Sequence, residues 1–316
     1  MPSAFGAAAG VINPVTARWM TKTWNFDQLL PEAVKTYRAI EQKFDIQVYH
    51  PIPEIRFCQN AEDLKRVGKR MRNPRYQDVL SHMAATGEAA PEFNDDFGTV
   101  HINQAAYVDL PLVVHTLRAS FATLGRFRDE TFLHSELKPG TTGWQYRNLH
   151  ADKVIFCEGA AMKDNPWFKN LPLKPAKGET LLCHSPTLRL PQKLYHHKKW
   201  FLPYPDGNFR IGATYDESDL SDAPTQAKKD ELLTAAQEAL KKPHQVDVSA
   251  HLAGIRPSTI DSRPIIGAHP NNLGLYLVNG LGSKGASTAP TMTQQLTNYI
   301  LKKSPIEDEV NLRRFY

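Results

Sequence analysis

The fold of this chain is decided by Leu275-Tyr-Leu-Val-Asn279, which continues as Gly280-Leu-Gly-Ser-Lys-Gly285 and then as Ala286-Ser-Thr-Ala-Pro-Thr-Met-Thr-Gln-Gln-Leu-Thr-Asn-Tyr-Ile-Leu301. The first segment is a short apolar run typical of buried strands, and the third repeats apolar residues at helical spacing. Ser287 and Thr288 are candidate caps of that helix. The glycines permit a tight turn and a close approach of backbone to a ligand. We therefore predict a strand, a glycine loop and a helix.

The glycine loop has the spacing Gly-x-Gly-x-x-Gly of a dinucleotide-binding fingerprint. That fingerprint also requires a second strand after the helix, ending in an acid about 20 residues on. Glu307 and Asp308 fall near that distance, but they follow Pro305 in a polar segment with no strand before them. We reject the first unit of a Rossmann domain here. Two interpretations of the loop remain. It faces a ligand from a helix N-terminus, or it is an ordinary glycine-rich turn.

Composition sets the broad class. The chain has 316 residues, of which 41% are hydrophobic and 22% charged, and its net charge is +5. No apolar run approaches the length of a membrane-spanning helix, so we expect no membrane span. The three cysteines are far apart in sequence, which favours reduced thiols in the cytoplasm and argues against a cysteine-clustered metal site. We predict no metal ligands.

Hydrophobic periodicity predicts the main elements along the chain. Helices are expected over residues 25–44, 61–72, 110–121 with Asp109 as cap, and 225–240. Strands are expected over residues 46–49, 54–57, 98–102, 131–137, 143–147, 154–157 and 246–250. The sequence Asp206-Gly207 predicts a hairpin turn between strands at residues 200–204 and 209–213.

Three further positions suggest ligand contacts. Arg256 precedes Pro257, and an arginine on such a stiffened segment suits bidentate binding of a carboxylate; an internal pair with Asp261 is the alternative. Gly159 ends the buried strand at residues 154–157, where ligands bind in open α/β sheets, or it simply starts a helix. Tyr204 could line a substrate pocket or pack within its hairpin.

Five blocks in this order resemble the FAD-dependent amine and amino-acid oxidoreductases of the D-amino-acid oxidase and glycine oxidase superfamily. They are Ala151-Asp-x-Val-Ile-x-x-x-Gly159, Leu173-Lys-Pro-Ala-Lys-Gly-Glu179, the Asp-Gly hairpin, Gly254-Ile-Arg-Pro-x-Thr-x-Asp-x-x-Pro-x-Ile-Gly267, and Leu275-Tyr-x-x-x-Gly-x-Gly-Ser-Lys-Gly-x-x-x-Ala-Pro290. The resemblance implies an α/β fold, in which a Rossmann-like FAD-binding domain is interleaved with an antiparallel-sheet substrate domain. We expect residues 1–45, 98–170 and 246–316 in the first domain, and residues 46–97 and 171–245 in the second.

The resemblance also assigns roles to residues. It places Arg256 on the substrate carboxylate, and we add Tyr204 as a pocket residue. The expected cofactor contacts are Ala8, Ala9, Gly10, Gly159, Gly280, Gly282, Ser283, Lys284 and Gly285. The implied reaction oxidises the C–N bond of an amino acid or related amine, with FAD as electron acceptor. We nominate no catalytic side chain, because the cofactor carries the redox chemistry.

Two alternatives remain at this point. The glycine loop is similar to that of the enzyme half that completes 5-methylaminomethyl-2-thiouridine in tRNA, so a carboxymethylamino group on tRNA is a possible substrate. The basic residues between Lys65 and Arg75 would then contact tRNA phosphates. Alternatively, the chain is a non-catalytic remnant. Members of this superfamily open with a strand and a Gly-x-Gly-x-x-Gly loop, which we do not find before Ala8, so we expect weak FAD retention.

Overall fold

The computed structural model describes residues 4–16 and 19–316. The α-helices in these ranges are α1 (Phe26–Phe44), α2 (Ala61–Met71), α3 (Leu110–Thr123), α4 (Gln226–Ala239) and α5 (Gly285–Ile300). The strands are β1 (Val11–Ile12), β2 (Val15–Thr16), β3 (Thr21–Lys22), β4 (Tyr49–Pro51), β5 (Glu54–Phe57), β6 (Leu80–Ala84), β7 (Thr99–Ile102), β8 (Ala106–Val108), β9 (Leu137–Pro139), β10 (Trp144–Tyr146), β11 (Leu149–Ala151), β12 (Val154–Phe156), β13 (Ala176–His184), β14 (Leu194–His196), β15 (Trp200–Pro203), β16 (Phe209–Gly212), β17 (Asp247–Arg256), β18 (Ile265–Ala268) and β19 (Leu275–Asn279).

The largest sheet has eight strands in the order β17-β13-β16-β15-β14-β5-β7-β6. All of its pairs are antiparallel except β14 with β5. A second sheet places β19 between a parallel neighbour, β12, and an antiparallel neighbour, β18. Small antiparallel sheets are formed by β1-β8-β4, β11-β10-β9 and β2-β3. The mixed α/β class predicted from the sequence is confirmed.

The two faces of β13 carry different chemistry, because successive residues of a strand point to opposite sides. On one face, the buried Lys177 donates to Asp219 (2.7 Å), and the buried Glu179 accepts from the backbone N–H of Thr225 (2.9 Å). Thr225 caps α4, so this buried pair fixes the start of that helix. The opposite face carries Gly178 and Thr180, and it faces the candidate site described below.

Helix α5 is held from behind by α1. The buried residues Leu29, Met292 and Leu296 share one apolar cluster, and the hydroxyl of Tyr37 donates to the carbonyl of Ala286 (2.8 Å). Helix α1 therefore supports the first turn of α5. This fixes the direction in which the glycine loop presents its backbone.

Most predicted helices and the hairpin agree with the structure to within two residues, but five expectations were wrong. The strand predicted at residues 246–250 continues to Arg256. Residues 131–136 form no strand and end in a 3-10 helix, His134–Glu136. Residues 46–48 lie outside β4. Ser287 and Thr288 do not precede α5, which already begins at Gly285. The strand predicted at residues 154–157 exists, but it is only partly buried, since Ile155 is 47% exposed.

The sheets also bear on the expected domain boundaries. Those boundaries place β7 and β17 with the cofactor-binding domain, whereas both strands are hydrogen-bonded into the eight-stranded sheet. We keep the two-domain division as a proposal, with these two strands counted in the larger sheet.

Candidate active site

The glycine loop joins three distant segments. Gly280 and Gly282 adopt left-handed backbone conformations, with φ of 72° and 54°, which favour glycine. The side chain of Asn279 donates to the carbonyl of Gly159 (2.9 Å) and accepts from the N–H of Gly280 (2.8 Å). The N–H of Gly282 donates to the carbonyl of Pro257 (3.2 Å). The structure thus brings the loop, Gly159 and the segment after Arg256 together.

The first turn of α5 has no side-chain cap. Lys284 occupies the N-cap position, and the hydroxyls of Ser287 and Thr288 donate to its carbonyl (3.0 and 2.9 Å) instead of accepting from backbone N–H groups. This corrects the capping role expected of both residues. The backbone N–H groups of Ser287 and Thr288 donate to that same carbonyl. Within the first turn, those of Gly285 and Ala286 are therefore the candidates to meet a ligand, where the positive end of the helix dipole favours negative charge.

Lys284 adds positive charge next to that helix end. Burial lowers the pKa of its ammonium group, and the nearby charge of Arg263 lowers it further. The neighbouring Ser283 is exposed, and Gly285 is half-buried as the first residue of α5. Gly280 is buried, so not all of the predicted cofactor residues of the loop reach the surface at the start of α5.

Arg256 ends β17 and has no carboxylate partner within residues 4–16 and 19–316. Its guanidinium donates to the carbonyls of Lys177 (3.3 Å) and Thr214 (3.2 Å). The alternative pair with Asp261 is not formed, because Asp261 binds Arg314 (3.0 Å). Burial lowers the pKa of Arg256, so a ligand carboxylate would relieve an electrostatic cost.

Three strand glycines form the surface on which this site rests, and we call Gly178, Gly212 and Gly254 the glycine floor. The register pairs Gly178 with Gly254, and Thr180 with Gly212. A Cβ atom at Gly178 would overlap the guanidinium of Arg256, one at Gly212 would crowd the indole of Trp200, and one at Gly254 would lie 3.1 Å from Cβ of Ala7. Each glycine thus leaves room for a side chain from another part of the chain.

The glycine floor was not predicted from the sequence. Its signal was present, since glycine inside a strand often marks the close approach of another group. Gly178 lies in the second of the five family blocks and Gly212 lies in the Asp-Gly hairpin, and neither glycine was assigned a role of its own. The sequence does not show which side chain would occupy each space, because those side chains come from other segments.

The alanine segment, residues 7–10, lies across the same face of the sheet. Thr180 donates to the carbonyl of Ala7 (3.3 Å), and Arg210 donates to that of Ala8 (3.1 Å). Gly10 has a structural reason for being glycine, because its φ is 65° and a Cβ would overlap the carbonyl of Val108. Contact of Ala8, Ala9 and Gly10 with a cofactor stays a prediction.

Tyr204 lies in a different place from Arg256. Its ring packs edge-on against Tyr107, with centroids 5.7 Å apart, and it lines a cavity of about 520 Å³ together with Ala8, Ala9 and Arg210. Arg256 does not line this cavity. The structure therefore separates the two residues for which a common substrate role was expected.

Metal-binding clusters and membrane-spanning helices are both absent from the described ranges of the chain. In these ranges, no group of three or more His, Cys, Asp or Glu side chains is arranged to hold a metal ion. No helix there is both long and apolar enough to cross a membrane.

Two kinds of enzyme are similar to this chain in sequence. The chain is 28% identical to glycine oxidase of Pseudomonas aeruginosa over 218 residues, an alignment that covers 66% of this chain and 60% of that protein. It is 30% identical to the tRNA 5-methylaminomethyl-2-thiouridine biosynthesis bifunctional protein MnmC of Marinobacter nauticus over 173 residues, which are 50% of this chain and 27% of that protein. The chain thus spans about three fifths of the glycine oxidase it matches.

The solved structures agree in fold. The crystal structure of glycine oxidase from Geobacillus kaustophilus superposes with a TM-score of 0.82 at 20% identity, over 97% of this chain and 86% of that chain. The uncapped start of α5 and the left-handed glycines fit the polar edge of a flavin ring. The family described as DAO, FAD dependent oxidoreductase, matches residues 2–299, and this chain therefore belongs to the FAD-dependent oxidoreductases of the DAO family.

Proposed function

We propose that this protein oxidises the C–N bond of an amino acid or a related carboxylate-bearing amine. The observation that carries the proposal is Arg256, a largely buried guanidinium that has no carboxylate partner in the described structure. It precedes Pro257, whose carbonyl accepts from Gly282 of the glycine loop. Similarity to a glycine oxidase supports the same substrate class.

The residues of the chain would bind and orient the reactants. Arg256 would hold the substrate carboxylate, and its guanidinium is kept in place by Gly178 beneath it and the carbonyl of Thr214. The start of α5 and Lys284 would hold the oxygen-bearing edge of the flavin. FAD, when bound, supplies the oxidising equivalents. Positioning of this kind is itself a major source of rate acceleration.

The test is anaerobic reduction of the flavin in protein saturated with FAD. Glycine and N-methylglycine should bleach the flavin absorbance in wild-type protein, which requires no knowledge of the physiological electron acceptor. Arg256→Met should raise the substrate concentration for half-maximal bleaching by about 10- to 100-fold, because a charge-assisted hydrogen bond contributes about 1.5–3 kcal/mol. Flavin that binds but is not bleached by any carboxylate-bearing amine would refute the proposal.

A second candidate substrate is a carboxymethylamino group on tRNA. The specific observation is helix α2 with its C-cap residue, Arg72: Lys65, Lys69 and Arg72 are exposed. Arg66 in the same helix is instead paired with Glu62 and Asp63 (2.8 and 2.6 Å). Similarity to MnmC over half of this chain supports this candidate.

Binding of bulk tRNA at several salt concentrations tests the second candidate. Replacing Lys65 and Lys69 with Gln should weaken binding and lower the salt slope by about 2, since each lost phosphate contact removes about one released counterion. Replacing the exposed Lys302 and Lys303 with Gln removes equal charge elsewhere and should leave the slope unchanged. Equal effects of both double variants would point to non-specific attraction.

A cytoplasmic location is also a proposal. It rests on the cysteines Cys58, Cys157 and Cys183, all of which are free thiols in the structure, as expected in a reducing compartment.

A further inference from the structure

Arg210 is a second buried arginine that the proposed reaction does not use. It lies on β16 and is only 9% exposed. One nitrogen, Nη1, donates to the carbonyl of Ala8 (3.1 Å), while Nε has no hydrogen-bond partner. No carboxylate of the described residues forms an ion pair with it. An arginine buried in this way is costly unless something pairs with it.

The cavity beside Arg210 is large enough for a small ligand. Its volume is about 520 Å³, within the range of small-molecule sites. Aromatic rings form part of its lining: His50 stacks on Tyr107 with centroids 4.5 Å apart, and Tyr204 meets Tyr107 edge-on. Burial lowers the pKa of His50, which favours its neutral ring. Arg210 is then the one permanent cation among the described residues that line the cavity.

Two carboxylates also face this cavity, but each is engaged locally. Asp109 accepts from the N–H of Leu112 as the cap of α3 (3.0 Å). Asp206 accepts from the backbone and side chain of Asn208 within the hairpin turn (3.0 and 2.8 Å). Neither carboxylate forms an ion pair with Arg210 in the described part of the chain. With one guanidinium and two carboxylates the lining is negative in formal charge, so an anion would be held by direct contact with Arg210 and not by the potential of the cavity as a whole.

We propose that Arg210 anchors a second anion-binding site, distinct from Arg256, which takes the carboxylate or phosphate group of a small molecule. The two arginines lie on the same face of the eight-stranded sheet but at different places along β13. Arg256 covers Gly178, whereas Arg210 is paired with Leu182, four residues further on and thus about 13 Å away along the strand. Ala8 and Ala9, which are expected to contact the cofactor, line the same cavity, so anion binding is to be measured with FAD bound.

The experiment is calorimetric titration of the FAD-saturated, full-length protein with inorganic phosphate and, separately, with succinate. Wild-type protein should bind at least one of the two, and the tighter one identifies the preferred anion. Arg210→Met should weaken that binding at least tenfold, and Arg210→Lys should weaken it less. Arg256→Met is the matched control and should leave phosphate binding unchanged.

A second pair of variants covers the case in which Arg210→Met does not fold. Asp109→Asn keeps a good helix cap, and Asp206→Asn keeps an acceptor in the turn. Each removes a negative charge that faces the cavity, so each should tighten anion binding by about two- to fivefold at low salt. Binding that is absent in wild-type protein, or that is lost in Arg256→Met and kept in Arg210→Met, would overturn the proposal. So would anion affinity that neither aspartate variant changes.

Discussion

The glycine loop and the glycine floor use the same residue for different reasons. Gly280 and Gly282 are needed for their left-handed backbone, and they shape a turn in front of α5. Gly178 and Gly212 have ordinary extended backbone, and they are needed because Arg256 and Trp200 occupy the space of their missing side chains. A glycine of the first kind controls the path of the chain, and one of the second kind controls where another side chain lies.

The difference predicts different outcomes for the same substitution. Alanine in the loop should act mainly on folding and cofactor binding, because the backbone itself is strained. Alanine in the floor should act mainly on the ligand, because the strand remains intact while the side chain above it moves. Single substitutions can test this contrast, from the largest expected effect to the smallest.

Gly280→Ala should destabilise the protein by about 2–4 kcal/mol. Left-handed backbone costs alanine about 1–2 kcal/mol, and its Cβ would lie 2.7 Å from Cγ2 of Thr259 and 3.0 Å from the backbone nitrogen of Ile265, which adds a cost typical of overpacking. Urea unfolding measures the change. A midpoint equal to that of the wild type would show that the loop accommodates the new methyl group. The proposed difference between loop glycines and floor glycines would then not hold.

Gly178→Ala should keep the unfolding midpoint close to that of the wild type but raise the KM for a carboxylate substrate by about 10-fold or more. The new methyl group would displace the guanidinium of Arg256, with the loss of a charge-assisted hydrogen bond. Steady-state kinetics and urea unfolding are measured on the same preparation. A variant that lost stability without a change in KM would place Gly178 with the loop glycines.

The charge of Lys284 should be lost in the alkaline range, whereas Arg256 should stay charged. Burial and Arg263 lower the pKa of Lys284, so its charge is lost as pH rises through a value below the ordinary lysine pKa of about 10.4. FAD affinity, followed by fluorescence quenching, should therefore fall by a few-fold on the alkaline side of neutrality, before the pH reaches about 10.4. Lys284→Arg should remove this decline, since arginine stays charged. An unchanged decline would show that another group titrates.

Gly207→Ala separates backbone strain from crowding. Gly207 has φ of 84°, and no atom lies within 4 Å of the position that a Cβ atom would take there. Strain alone should cost about 1 kcal/mol and lower Tm by a few degrees. Gly6→Ala is the control, because Gly6 has neither a left-handed φ nor a near neighbour, and it should stay within about 0.5 kcal/mol of the wild type.

Sequence reasoning predicted the fold class, the hairpin and most helices, because periodic apolar residues and turn signals are local. It failed where tertiary contacts decide. Ser287 and Thr288 resembled caps in sequence, but the chain enters α5 earlier, at Gly285, and their hydroxyls donate to Lys284 instead. The strand containing Ile155 resembled a buried one, yet burial depends on neighbours that the local pattern does not specify.

The candidate site was predictable only in part. Arg256 and the loop glycines stood in a motif, so their proximity could be expected. The partner of Asp261 could not be predicted, because Arg314 lies 53 residues away in sequence. Arg210 also carried no signal, since an arginine in an alternating strand is usually on the solvent side. Its burial arises because the alanine segment covers that face of the sheet.

The alternation along β13 limits how this protein can change during evolution. One residue inserted or deleted between Gly178 and Leu182 would reverse the faces of the strand that follows it. An insertion directly after Gly178 would turn Glu179, which accepts from the N–H of Thr225 at the start of α4, toward the face beneath the site. Insertions and deletions should therefore be excluded from this segment in related sequences. The exposed turn at Asp206-Gly207 can vary in length, so differences in length between related sequences should accumulate there.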